Sequence, residues 1–167
     1  MQRFLVDLML MRLGRWLRLL GQDVARPEGE SDAELLLQAK KESRTIITRD
    51  KRLSQACPGA GVQCLLIRSS KISDQLLEMA DAGVPLRLDP QRCTLCNGLL
   101  EEKEMHGMKK WQCLDCKKLY WEGGHWKKME RMLEAIRSRR DGNAELTVGA
   151  KATETIPNER MTSNDPA

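Results

Sequence analysis

Cys93-Thr94-Leu95-Cys96 is followed, after sixteen intervening residues, by Cys113-Leu114-Asp115-Cys116. Two Cys-x-x-Cys pairs at this separation match the two knuckles of a tetrahedral four-thiolate zinc site. Such a site is structural, because four thiolates leave no position on the ion for water or substrate. Chemistry, if the chain performs any, must lie elsewhere. Two disulfides or buried free thiols are the competing readings. Asp7 and Arg12 interrupt the N-terminal apolar stretch well short of the ~20 residues that span a membrane, and the stretch does not resemble a signal peptide. The expectation is therefore a cytoplasmic protein with reduced thiols. Gly98 can relieve the tight turn after Cys96, and Lys109, Lys110, Lys117 and Lys118 can offset the negative charge of a zinc-thiolate centre. Cys57 and Cys64 belong to no such motif and read as ordinary reduced residues.

A chain of 167 residues suits one domain with a modest core plus a small metal-stapled appendage. Three segments are expected: 1–89, 90–140 and 141–167. The net charge of +4 is concentrated in the second, where 12 basic residues face 7 acidic ones. That excess favours contact with polyanions such as RNA. From Asp141 onward the sequence is polar and poor in aromatics, and its composition predicts a disordered tail.

In residues 1–89 short apolar runs alternate with helical patterns, as in βαβ units of a mostly parallel sheet. Strands are expected at Phe4-Leu5-Val6, Val24-Ala25, Thr45-Ile46-Ile47-Thr48 and residues 63–67. Helices are expected at about 8–20, 32–42 and 71–82, with right-handed crossovers placing them on both faces. The fold class is thus a three-layer α/β/α arrangement, followed by a zinc ribbon and a C-terminal helix. That last helix, about 126–139, carries Met129, Met132, Leu133 and Ile136 as an apolar stripe. The stripe would dock the ribbon onto the first domain or onto a second subunit.

The first strand runs into Asp7 and the third into Arg49-Asp50. In a parallel sheet both acids emerge at the carboxyl edge, where open α/β sheets bind ligands. Asp32 joins them at the head of a helix, and Ser70, Ser73 and Asp74 lie in range as further oxygen ligands. Each acid also has a plain structural role. Ser31 and Glu34 match a capping box, Asp32 suits the first turn of a helix, and Asp7 and Asp50 can cap the helices that follow them. Taken together, however, gathered carboxylates need a neutralising cation, and their hard oxygens suit Mg²⁺ or Mn²⁺. The only histidines, His106 and His125, lie in the ribbon half, which excludes a histidine base in residues 1–89.

The ordered set Phe4-Leu5-Val6-Asp7, Met11 to Gly21, Ser31-Asp32, Thr48-Arg49-Asp50-Lys51-Arg52-Leu53, Arg92 to Gly98 and Tyr120-Trp121-Glu122-Gly123-Gly124-His125-Trp126 resembles the Mut-seven C-terminal RNase domain family across about residues 3–135. The resemblance implies a PIN-like nuclease domain joined to a zinc ribbon, and with it a metal-dependent ribonuclease. It maps Asp7 and Asp50 onto the first-strand acid and the Thr-x-Asp acid, and Asp32 onto the acid heading the second helix. Asp74 fits a fourth acid only loosely. On this reading Mg²⁺ or Mn²⁺ is held by Asp7 and Asp50, with Asp32 nearby, and Arg49 either grips a phosphate oxygen or pairs with a carboxylate.

Arg12, Arg15 and Arg18 recur at i, i+3, i+6, so they either track a phosphate backbone or form a solvated helix face. Trp16 reads as core, and Gly14 between them is expected to bear on helix stability. Tyr120, Trp121 and Trp126 among lysines suit either stacking on unpaired bases or the core of a small module. Two functions compete: an RNA-cleaving enzyme whose ribbon positions the strand, and a non-catalytic RNA- or protein-binding adaptor. A toxin-type interaction protein is a narrower third, for which a zinc ribbon would be unusual.

Overall fold

The computed structural model describes residues 2–154. Strands β1 (Arg3–Val6), β2 (Asp23–Ala25), β3 (Thr45–Thr48) and β4 (Cys64–Leu66) form a parallel sheet in the order β2-β1-β3-β4. Alternation along each strand divides the core in two. Phe4, Val6, Val24 and Ile47 face helices α1 (Met11–Leu19), α4 (Ile72–Asp81) and α5 (Gly124–Glu154). Leu5 and Ile46 face α2 (Asp32–Glu42) and α3 (Lys51–Gly59). The expected three-layer arrangement is present. The first expected helix differs only at its start, where a 3-10 turn at Leu8–Leu10 leads into α1. Strands β5 (Leu100–Met105), β6 (Met108–Cys113) and β7 (Leu119–Trp121) form the antiparallel ribbon. Among the described residues no helix is long and apolar enough to cross a membrane.

The stripe on α5 docks on its own chain. Leu133 and Ile136 are buried with Leu76 and Met79 of α4, and Arg139 and Arg140 pair with Asp74 and Asp81. Helix α5 also continues past Arg140 to Glu154, through residues that composition marked as a tail. No proline interrupts the extension, the first beyond Arg140 being Pro157, and Ala144, Leu146, Ala150 and Ala152 favour helix against Gly142 and Gly149. The rest of the expected tail, residues 155–167, lies outside the described residues.

Gly14 has a role that helical periodicity does not show. A Cβ built there would stand 2.9 Å from Val6 Cγ1, so the absence of a side chain lets α1 lie close on β1. Gly14→Ala should therefore destabilise the protein by about 1 kcal/mol, because overpacking against a stiff β-branched neighbour costs about 1–3 kcal/mol and helix propensity returns only ~1. Urea unfolding of the two proteins checks this, and a stabilised variant would show that α1 shifts freely.

Asp23, on edge strand β2, is buried among four donors. Its carboxylate accepts hydrogen bonds from Arg44 Nη1 and Asn97 Nδ2, both at 2.8 Å, and from Arg3 Nε at 3.4 Å, while Arg92 Nη2 lies 3.7 Å away. Burial raises its pKa, but the bonds from Arg44 and Asn97 and the nearby charges outweigh burial and hold it below the ordinary carboxylate value. A depressed folded-state pKa contributes stability above the unfolded value of about 3.9, and that stability is lost as pH falls through the folded value. Asp23→Asn should cost about 3 kcal/mol at pH 7, since it leaves a buried arginine under-compensated. The gap from wild type should narrow below about pH 4, and an equal gap at pH 7 and pH 3 in denaturant titrations would refute the electrostatic account.

Candidate active site and metal centre

The Sγ atoms of Cys93, Cys96, Cys113 and Cys116 all lie within 4.8 Å of one another. Two of the separations are 3.6 Å (Cys93 to Cys116) and 3.5 Å (Cys96 to Cys113). A tetrahedron with zinc–sulfur bonds of about 2.3 Å has edges of about 3.8 Å, so the four sulfurs fit a zinc ion closely. They are far too distant from one another for disulfides. The residue after the second cysteine of each pair, Asn97 (φ 66°) and Lys117 (φ 63°), takes the left-handed conformation that turns the knuckle. Gly98 is needed for space instead, because a Cβ there would stand 3.0 Å from Cys113 Sγ and closer still to Asp115. Burial pushes the Cys93 thiol up, but the Tyr120 hydroxyl and the N–H groups of Cys96 and Leu95 outweigh it and bring it down to about 6. Burial, reinforced by contacts with the neighbouring thiols, pushes Cys96 up to about 12. Of the other cysteines, Cys57 is buried and Cys64 half-buried, and both are free thiols.

The first knuckle is bonded to the parallel sheet by two side chains. Arg18 is only 2 % exposed; its Nε donates to Val24 O at 2.8 Å and its Nη1 donates to Thr94 O at 2.8 Å and to Leu95 O at 3.3 Å. Burial pulls the guanidinium below its ordinary pKa, and the charges of Cys93 and Cys96 pull it back. Arg18 thus ties α1 and β2 to the backbone of the first knuckle, and it is removed from the exposed basic stripe expected with Arg12 and Arg15. From the other side, Asn97 Oδ1 accepts the Val24 N–H at 3.0 Å. Of the lysines expected to balance the centre, Lys118 lies over the Tyr120 ring, 5.2 Å from its centroid, and Lys117 donates to Leu114 O.

At the carboxyl edge of the sheet the acids differ. Asp7 occupies the capping position before the 3-10 turn, yet its side chain makes no capping bond. Its Oδ2 instead accepts from Thr48 Oγ1 at 2.8 Å, across β1 and β3. The same Thr48 Oγ1 accepts the Asp50 N–H at 2.9 Å. Asp50 does cap α3, its Oδ1 accepting the N–H groups of Arg52 and Leu53 at 2.8 and 3.3 Å. Asp7 and Asp50 are therefore joined through one buried hydroxyl. Asp32 is exposed in the first turn of α2, behind the capping box formed by Ser31 and Glu34. Burial raises the Cys57 thiol above its ordinary value, and the Asp32 charge adds to that shift. Asp74 is engaged by Arg139.

Hard carboxylate oxygens on neighbouring parallel strands suit a small divalent cation with waters completing its shell. Among the described residues the three acids do not themselves form a cluster of donor atoms of the kind the cysteines form. Arg49 makes no ion pair among the described residues; with Lys51 and Arg68 it lines a cleft of about 450 Å³ beside the ends of β3 and β4. The Arg68 backbone is fixed there by Glu78, whose carboxylate accepts the N–H groups of Arg68 and Ser69 at 3.0 and 2.9 Å. Lys51 and Arg68 join Arg49 in this cleft, a placement whose only signal in the sequence is their position just after strand-ending residues.

The aromatic residues divide. Trp16 packs against the core, as expected. Trp126 stacks on the buried Trp111 with centroids 5.5 Å apart, and Tyr120 Oη stands 3.1 Å from Cys93 Sγ, so both build the ribbon. Trp121 is 58 % exposed.

No curated protein and no solved structure matches the chain. The family model described as the Mut7-C RNAse domain matches residues 2–133, which include the parallel sheet, the acids at its carboxyl edge, all four knuckle cysteines and the start of α5. With most of its length matched, the chain belongs to the Mut7-C RNAse domain family.

Proposed function

We propose that the chain is a metal-dependent ribonuclease with a PIN-like nuclease domain, which hydrolyses RNA phosphodiester bonds at the carboxyl edge of its parallel sheet. The observation that carries this reading is the Asp7 carboxylate, which forgoes the cap within its reach and is held by Thr48 beside Asp50. Thr48 engages Asp7 Oδ2 and leaves Oδ1 uncommitted among the described residues. The Asp50 cap uses Oδ1 and leaves Oδ2 uncommitted. Those two oxygens would hold Mg²⁺ or Mn²⁺, with Asp32 adding negative potential nearby. A bound cation of this kind supplies Lewis acidity and a more acidic water. Arg49, Lys51 and Arg68 attract the phosphate backbone toward the acids, and the planar guanidinium of Arg49 can grip non-bridging oxygens in bidentate fashion. The zinc centre has no part in the reaction and serves to hold the ribbon on the sheet. Reduced cysteines throughout suit a cytoplasmic setting.

A non-catalytic RNA- or protein-binding adaptor is the second reading, favoured by the lack of a three-carboxylate cluster among the described residues. Incubation of the zinc-loaded protein with a pool of structured and single-stranded RNA separates the two. Cleavage that requires added Mg²⁺ or Mn²⁺ supports the enzyme, and silence over a broad pool with retained RNA binding supports the adaptor.

A further inference from the structure

A second cleft, of about 350 Å³, opens between the first zinc knuckle, β7 and the start of α5. Trp121, Tyr120, Trp126, His125, Lys118 and Met129 contribute to its lining. Its volume falls within the range of small-ligand pockets. Tyr120 and Trp126 are committed to the ribbon by the contacts above, whereas Trp121 is the largest exposed aromatic surface there.

Charge narrows what can enter. Lys118 lines the cleft, and Lys127 and Lys128 are exposed on the first turn of the helix that bounds it. Of the nearby acids, Glu130 is occupied by the Trp126 indole N–H at 3.0 Å, while Glu122 is exposed between the lining residues Trp121 and Gly123, so Lys118, Lys127 and Lys128 outnumber it. The α5 ladder begins with Lys127 N–H on Gly123 O at 3.2 Å, so the N–H groups of the first turn are left pointing out of the helix end. Aromatic faces joined to cations and free N–H groups favour a ligand that is flat and apolar at one end and anionic at the other, which describes a nucleotide. The base must be unpaired, because a paired base hides its faces within the stack.

We propose that this cleft binds one unpaired nucleotide of an RNA strand, its base against Trp121 and its phosphate toward Lys118 and the head of α5. The site lies on the ribbon and is separate from the acids. It rests on the ribonuclease reading only for the class of polymer, and the cleft can bind RNA whether or not the acids cleave it.

The test measures binding of a labelled oligouridylate to the zinc-loaded full chain by anisotropy, at fixed salt and without divalent cation. The same strand made of abasic units is run beside it. Base–aromatic stacking predicts a loss of about 5- to 150-fold in Trp121→Ala, and most of the affinity retained in Trp121→Phe. The abasic strand should bind wild type as weakly as the natural strand binds Trp121→Ala. Equal affinity of wild type for natural and abasic strands overturns the proposal without recourse to any variant, and so does binding within twofold of wild type by a zinc-loaded Trp121→Ala. A protein that cleaves RNA but binds independently of Trp121 loses this site alone, and one that binds through Trp121 but never cleaves loses only the nuclease reading.

Discussion

Chelation of zinc should unfold more than the ribbon. Structural zinc contributes about 10–16 kcal/mol to the folding of small zinc modules, as large as the whole stability of an ordinary domain. Here the loss propagates, because the carbonyls of Thr94 and Leu95 that hold the buried Arg18 lie between Cys93 and Cys96, the two cysteines of the first knuckle that would ligate the metal. With the knuckle released, Arg18 would be a cation inside the protein with one remaining acceptor, Val24 O. Thermal unfolding followed in the far-ultraviolet should therefore show the parallel sheet melting well below the zinc-loaded protein. Arg18→Met reads the same coupling with zinc present, and should cost about 3 kcal/mol, or about 6–12 °C in melting temperature for a chain of this size. A sheet transition that stays in place after chelation, with Arg18→Met melting within 2 °C of wild type, would show that ribbon and sheet are energetically independent.

Asp7→Asn and Asp50→Asn should each lower RNA cleavage by at least about 10²–10³-fold while leaving the fold intact. Asparagine can still accept the Thr48 hydroxyl through its amide oxygen at position 7. At position 50 it is as good a helix cap as aspartate, so the variants separate charge from structure. Asp50→Ala would confound the two, because loss of the cap costs about 1 kcal/mol by itself. Undiminished cleavage by both asparagine variants would remove the acids from the site. Thr48→Val is the companion measurement. It deletes the hydroxyl that joins the two acids, and an intermediate loss of activity would assign that hydroxyl a positioning role.

The features legible in the sequence were those set by spacing along the chain. The knuckle cysteines follow from a fixed interval, and the strands and the two acids at their ends follow from apolar runs that stop at a charge. The features that escaped were set by neighbours far apart in sequence. Arg18 fits the same i, i+3, i+6 series as Arg12 and Arg15, yet those two are exposed and Arg18 is buried, because its acceptors include Thr94 and Leu95. Periodicity gives a helix its faces without saying which partner each face meets. Gly14 reads as a helix weakness until Val6 is seen 2.9 Å from where its Cβ would be. Asp7 could be placed at a capping position from sequence, but its choice of Thr48 over the cap depends on the pairing of β1 with β3. The helix beyond Arg140 escapes composition for a different reason: composition reads the polarity of the segment and not the absence of a proline before Pro157.

The outer side of β2 has a consequence for the fate of the metal-free chain. This three-residue strand ends the sheet, and the peptide groups of Val24 that face away from β1 are taken up by Asn97 and Arg18. When the knuckle opens, Asn97 leaves with it and a hydrogen-bonding edge is exposed beside an apolar core. Such an edge is a template for pairing with another copy of the chain. Zinc depletion should therefore produce aggregates enriched in intermolecular strand pairing, which makes metal supply during synthesis a determinant of how much of this protein stays in solution.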